Sequence, residues 1–522
     1  MSMLTNAENT RGDEQSVSSS KRGARALGLM LALPIALAAG TAHAQSYSVL
    51  HAFSGPPDGS GPQGGLIRGV DGNFYGTTTG GGVNDLGAVY RMTPSGAVTI
   101  VHSMAGVEAA TPFGELVLGP DGNFYGTTAL GGTGVFNGNG VVYRVTPSGA
   151  LTTLHAFTAA DGQHPQTALL RAADGNFYGT ATGGGATGNG TVFRISASGT
   201  FTVLHSFTGT DGGFPLGALI AGSDGNFYGT TANGGSANGG TAYRISPSGT
   251  FTSLHSFTFA AQDGNDPRGA LVLGSDGNFY GTTEFGGASG GHGTTYRMTP
   301  SGAVTILHAF TGFDGDAPLA GLTLARDGRF YGTTSTLGQN GSGTIFSMTA
   351  AGAVTVQRAL SSSDGSPGEP NLLQASEGAI YGANLTGPAS SLGDVFKLVP
   401  GPAFASPLVQ VNTPYFTEDD VSLTTAVPLT ALTITITMQV TPGLTFSGQF
   451  QNVGSQFTQS HVTTTSAITY TFTLKAGSTV PAGTWTFAAQ AGTSGVAHNV
   501  HGDTFTVSYT AGAQTFAQSG SY

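Results

Sequence analysis

The chain has 522 residues, too many for one ordinary core, so at least two packed units are expected. Gly accounts for 86 residues, 9 % of residues are charged and 39 % are apolar, and glycines recurring at fixed places in such a chain point to an ordered, turn-rich β protein rather than low complexity. Seventeen Lys and Arg against 28 Asp and Glu give a net charge of -11, which excludes the basic patch that nucleic acid requires, and the absence of cysteine excludes disulfides, thiolate metal sites and a Cys nucleophile.

Residues 26–40, ALGLMLALPIALAAG, form an apolar run behind Lys21, Arg22 and Arg25, and Ala42-His43-Ala44 follows as an A-x-A cleavage site. Residues 1–44 therefore read as a secretory signal peptide cut before Gln45. Lys21-Arg22 is not a twin-Arg pair, so general secretion is expected. The run is shorter than the roughly 20 residues of a spanning helix, and no second apolar segment follows. The mature chain is expected to be secreted or periplasmic in a bacterium, with no membrane span.

DGNFYGTT at 71–78 then returns at 121, 174, 224, 276 and 327 with small changes, and as EGAIYGA at 377. A period near 50 residues is the length of a four-stranded propeller blade. The fourth module shows the parse: GALIAGS (217–223) is a first strand, Asp224-Gly225 a tight turn, and Asn226 to Thr231 a second strand. ANGGSANGG (232–240) is a loop, TAYRIS (241–246) a third strand, Pro247-Ser248-Gly249 a turn and TFTSLHSFT (250–258) a fourth strand. The seventh module ends at GDVFKLVPG (393–401) without a fourth strand, whereas SYSVLHAF (46–53) matches AVTILHAF (303–310) and has no strands before it. Residues 45–400 are thus expected to form a seven-bladed β-propeller whose ring is closed by the N-terminal strand, hiding edges that would otherwise pair with other chains.

The register DGNFYGTT…GG…GTVYRMTPSGAVTILHAF…DG…P…L resembles the GloVer (Gloeo/Verruco) tandem repeat of secreted bacterial proteins and is similar to NHL-type propeller repeats. The resemblance spans about 46–400 and implies architecture and export; it implies no particular activity.

Seven Tyr (75, 125, 178, 228, 280, 331, 381) recur once per module, as do Asp71, Asp121, Asp174, Asp224, Asp276 and Asp327. A catalytic group is not needed seven times, so these read as packing and turn residues. His51, His102, His155, His205, His255 and His308 hold one position of the outer strand, with Arg358 at the remaining one; packing or hydrogen bonding is expected rather than metal binding, since equivalent atoms of different blades lie far apart. Arg91, Arg144, Arg194, Arg244 and Arg297 read as solvated or as inter-blade ion pairs. A second DG places Asp58, Asp161, Asp211, Asp263, Asp314 and Asp364 before the first strands. Asp263, Asp266, Asp314 and Asp316 are weak candidates for a structural calcium, although no segment has full calcium-loop spacing and β-turns are the simpler reading. No other cofactor is expected.

Function is expected where the copies differ. The DGN and TPSG turns fall at one end of the ring, and the long loops share the other end with the DG…P connections, so that end, centred on the channel mouth, is the candidate face. Its chemically able residues are Phe113 and Glu115 in the second module and Arg268, Glu284, Phe285 and His292 in the fifth, with Asp85, Phe136, His164 and Gln166 elsewhere. They fit two functions: binding of a glycan or an extracellular protein on a scaffold, or a secreted carbohydrate-active enzyme, a polysaccharide lyase or hydrolase, at the channel mouth. A monomer is expected.

Beyond a linker at 401–407, residues 408–522 lose the period. LTITITMQV (432–440) and AITYTFTL (467–474) alternate apolar and polar residues, and about seven strands read as an immunoglobulin-like β-sandwich. Trp485 reads as core, and His498, His501 and Asp503 as a polar loop or a metal site.

Overall fold

The computed structural model describes residues 46–521 except 133, 135–137, 261–262, 289, 377, 388–391, 400–402, 413–415, 426–428, 440–444, 452–455, 465, 482, 493–502 and 512–513. The expected leader, Phe136, His498 and His501 lie outside the described residues. Among the described residues every element is a strand. Six antiparallel four-stranded sheets follow one another, the first built from Ile67–Arg68, Phe74–Thr78, Ala88–Met92 and Val98–Ser103 in spatial order. A further sheet holds Leu373–Gln374, Ile380–Thr386 and Asp394–Val399. Its outer strand is Ser46–Ala52, antiparallel to Asp394–Val399 with Ser46 opposite Val399 and Ala52 opposite Asp394.

Successive sheets share buried clusters, and the cycle closes. Leu66, Phe74 and Tyr90 of the first sheet pack with Tyr381 and Val395 of the last and with Phe53, and Tyr331 of the sixth packs with Ile380 and Phe396 of the last. This is a β-propeller. DGNFYGTT supplies its contacts residue by residue. Asp71 accepts hydrogen bonds from the Asn73 backbone (3.1 Å) and side chain (2.7 Å) and from the Tyr75 hydroxyl (3.0 Å). Burial alone would raise the Asp71 carboxyl, but these bonds hold it below its ordinary value. Gly72 turns the chain at φ 80°. Phe74 lies on Tyr381 of the preceding sheet (4.3 Å between centroids) and Tyr75 on Phe124 of the next (4.2 Å); each such pair is worth about 0.5–1.5 kcal/mol beyond its buried area. Of the two threonines in the second module, Thr127 donates to the Thr167 carbonyl of the next module. In the fourth, Thr231 bonds Thr241 within the sheet (2.9 Å). The motif is scaffold at every position.

The outer strands carry a β-bulge in each module, such as the extra Leu154 between Thr153 and His155. Beyond it His155, His205, His255 and His308 meet Asp161, Asp211, Asp263 and Asp314 of the following connection at 2.7–3.1 Å, and His51 and His102 meet Asp58 and Glu108. Arg358 replaces His with a contact to Asp364. The outer-strand position is thus a clamp on the chain leaving each module. The turn of the next module seats on the bulge: Gly149, at φ 95°, would place a Cβ 2.3 Å from the Val101 carbonyl oxygen, so only glycine fits. The repeated Arg side chains differ from the inter-blade expectation. Arg91 stands opposite Tyr75 within its own sheet and interacts with that hydroxyl, and Arg144, Arg194, Arg244 and Arg297 do the same toward Tyr125, Tyr178, Tyr228 and Tyr280.

In the tail, two antiparallel sheets of four and five strands share one core, with Val421, Leu423 and Phe487 from one and Ile434, Ile436, Tyr470, Phe472 and Val507 from the other. Trp485 packs against that core. Nine strands are described where about seven were expected, and the first, Ala403–Asn412, begins inside the segment expected as a linker. Pro407 disguised it: a proline is tolerated there because this strand is a sheet edge.

Candidate functional site at the channel mouth

Where each DG…P connection enters a first strand, one residue follows the proline and faces the axis. In chain order these residues are Gln63, Phe113, Gln166, Leu216, Arg268, Leu319 and, by register, Glu369; all seven line a single cavity of about 60 Å³. One water needs about 10–15 Å³ of such space, so the channel takes a few waters and no sugar ring. The residue before the proline is held in the left-handed region in Thr111, His164, Phe214, Asp266 and Ala317, at φ 51–58°. Non-glycine residues adopt this conformation at a cost of order 1 kcal/mol, and here it stands at the mouth in module after module. Its carbonyl accepts from the backbone of the residue just after the second strand, as Asp266 accepts from Glu284 (3.0 Å) and His164 from Thr182. Loops and connections therefore share one end, as the chain direction requires.

The fifth module concentrates charge. Arg268 donates two 3.2 Å hydrogen bonds to Asp266, contacts Glu284 and lies 4.0 Å from Glu369 of the seventh module. Burial pushes Glu284 up to about 7, with Arg268 opposing and Asp266 reinforcing. Glu369 is also raised by burial against the same Arg268. Deeper, Glu115 hydrogen-bonds Asn371, and burial without a cation pushes it up to about 7. Three of the candidate residues, Phe113, Glu115 and Arg268, thus line one cavity, and Glu284 joins it through Arg268.

A family model described as the Gloeobacter/Verrucomicrobia repeat matches residues 38–223, 133–325 and 215–457, overlapping segments that span most of the chain. The chain belongs to the Gloeobacter/Verrucomicrobia repeat family. No curated protein matches it. Among solved structures it is similar to a gluconolactonase from Xanthomonas campestris (12 % identity, 65 % of this chain and 88 % of that one, TM-score 0.34). It is also similar to a puromycin hydrolase (11 %, 72 % and 61 %, TM-score 0.41) and to a xylan β-1,4-xylosidase from Bacillus halodurans C-125 (13 %, 89 % and 90 %, TM-score 0.29).

In this Gloeobacter/Verrucomicrobia repeat protein, two residues grouped with Arg268 in the sequence lie elsewhere. Phe285 is 44 % exposed, its backbone paired with Asn265. His292 Nδ1 meets Asp316 Oδ1 at 2.9 Å, on the return limb of the loop beside the next connection. Only the start of that loop is near the axis. The calcium candidates are dispersed. Asp263 is taken by His255 and Thr258, Asp314 by His308 and Thr311, Asp266 by Arg268, and Asp316 by His292 and Thr336. Among the described residues no three His, Asp or Glu are grouped to hold a metal. Sequence reasoning missed Glu369 and Asn371; counting back from the repeated leucine finds them, since they stand three and one residues before Leu372 as Phe113 and Glu115 stand before Leu116.

Proposed function

We propose that the protein is an exported seven-bladed β-propeller with an appended immunoglobulin-like module, and that its channel mouth binds a glycan. One observation carries this reading. Motif positions that pack or turn are nearly identical from module to module, whereas the axis-facing position holds Gln, Phe, Gln, Leu, Arg, Leu and Glu. All seven sit in equivalent scaffold, so packing does not demand the variation; a partner that lacks sevenfold symmetry does. The set suits sugars. Two Gln and an Asn supply neutral donors and acceptors, carboxyls with raised pKa values near neutrality donate as well as accept, and Phe113 offers a face for stacking. The narrow channel puts the contact on the surface of the mouth. A glycan array probed with residues 45–522 tests the reading: retention of a glycan class that Phe113→Ala weakens supports it, and retention of none overturns it. A second reading, a carbohydrate-active enzyme, is favoured by Glu284, pushed to about 7 beside Arg268 and so poised for proton transfer. Product release from the retained glycan, lost in Glu284→Gln, is its signature.

A further inference from the structure

Outward from the mouth, the loops of the fifth and sixth modules form a patch that packing does not explain. Phe285, Phe313 and Leu337 are 44 %, 69 % and 42 % exposed. Between them Asp316 uses both oxygens, one on His292 (2.9 Å) and one accepting from Thr336 Oγ1 (2.6 Å). Gly312 joins the parts: a Cβ there would stand 3.2 Å from His292 and from Leu337. A Cβ on Gly290 or on Gly312 would stand 3.2 Å from His292 Nε2, so both positions leave room beside the ring. The patch is continuous with the mouth, since Phe285 pairs through its backbone with Asn265, whose neighbour Asp266 holds Arg268.

We propose that this track, from Phe285 through His292, Asp316 and Thr336 to Phe313 and Leu337, is a second subsite that seats an extended neutral polysaccharide running outward from the mouth. The proposal rests on the reading of the loop face as a glycan-binding face. Aromatic rings flanking a fixed set of hydrogen-bonding groups match a pyranose, which has an apolar C–H face and a rim of hydroxyls. A wholly apolar protein surface would desolvate His292, Asp316 and Thr336 without compensating them. An anionic polymer would meet the Asp316 carboxyl in the track and a chain of net charge -11.

Affinity electrophoresis of residues 45–522 through gels containing soluble xylan, β-1,3-glucan or β-1,4-galactan tests it, with thermal melts confirming that each variant is folded. Phe285→Ala and Phe313→Ala are expected to weaken retardation by the retained polysaccharide at least tenfold, with His292→Ala weakening it less. Val83→Ala, at a still more exposed apolar residue of the first module, is expected to leave it unchanged. If Phe285→Ala and Phe313→Ala migrate as wild type while Phe113→Ala does not, the track is overturned and the mouth stands. If no polysaccharide retards the wild type, both fall. If the two Phe variants lose only adsorption to an octyl resin, the patch is an apolar protein contact and the proposal is overturned.

Discussion

Asp394 occupies the ring-closing sheet with no exposed surface. Its counterparts in the fourth to sixth modules are Thr241, Thr294 and Thr344, each bonded to a second-strand Thr. Here the pair is Asn384 and Asp394, with the amide 3.0 Å from the carboxyl. Asp364, held by Arg358, lies nearby, and Tyr47 of the closing strand receives a hydrogen bond from the same amide. Burial pushes Asp394 up to about 8, opposed by Asn384 and reinforced by Asp364. Because that value exceeds the unfolded one of 3.8, the stabilisation linked to its proton is complete below 3.8 and is lost as pH rises through 8. Inside the window one proton costs about 1.4 kcal/mol per pH unit, or about 3 kcal/mol between pH 5 and 7. Glu115 and Glu284 add slope of the same sign. The comparison is therefore between wild type and Asp394→Asn, whose urea midpoints converted to free energy should differ in slope by one proton's share. Asp394→Thr with Asn384→Thr restores the threonine pair of the other modules and should show the same reduced slope as Asp394→Asn. Equal slopes in wild type and Asp394→Asn would refute the argument.

Four further outcomes follow from the repeat. Tyr143→Phe and Tyr243→Phe should change stability by less than about 0.5 kcal/mol, because these buried hydroxyls have no partner and Phe193, Phe346 and Phe396 fill the same position elsewhere. Tyr228→Phe should cost about 1–2 kcal/mol by chemical denaturation, since its hydroxyl donates to the Asp224 carboxylate at 2.9 Å. Gly149→Ala should cost about 2 kcal/mol or more, combining a left-handed backbone with a clash against the Val101 carbonyl; a neutral result would contradict the seating of turn on bulge. Removing 45–53 should leave Asp394–Val399 as an open edge, and light scattering should detect association that the full mature chain lacks.

The scaffold was readable because seven copies average out local ambiguity: a strand that is doubtful once is clear when it recurs at a fixed period. The closing strand was readable because His51 and Phe53 match His308 and Phe310 of a complete module. The candidate site was only partly readable. Phe113 and Arg268 share the position after the connection proline and Glu115 stands two residues beyond it, so the three reach one cavity, but Glu369 lies inside a worn connection, SPGEPN, where a glycine precedes it and a proline follows, which hides the register. Arg268 and Glu284 meet because a carbonyl–amide bond ties the ends of two segments, whereas His292, eight residues beyond Glu284, belongs to the neighbouring connection. Adjacency in sequence misled there, because a long loop leaves the axis and returns at a different radius. The roles of the repeated Arg and of the second Asp set depend on side-chain reach across a strand pair or a bulge, which spacing alone does not encode.

If function resides, as proposed, in the varied ring at the channel mouth, levelling that ring should weaken binding and leave the scaffold intact. Gln63→Leu, Phe113→Leu and Gln166→Leu together extend to the first three modules the residue already present as Leu216 and Leu319. Isothermal titration of this triple variant against the polysaccharide that retains the wild type, with melting followed in parallel, is the most direct measurement. An unchanged melt with binding weakened by at least tenfold is expected; unchanged binding in the folded variant would contradict a functional role for the ring.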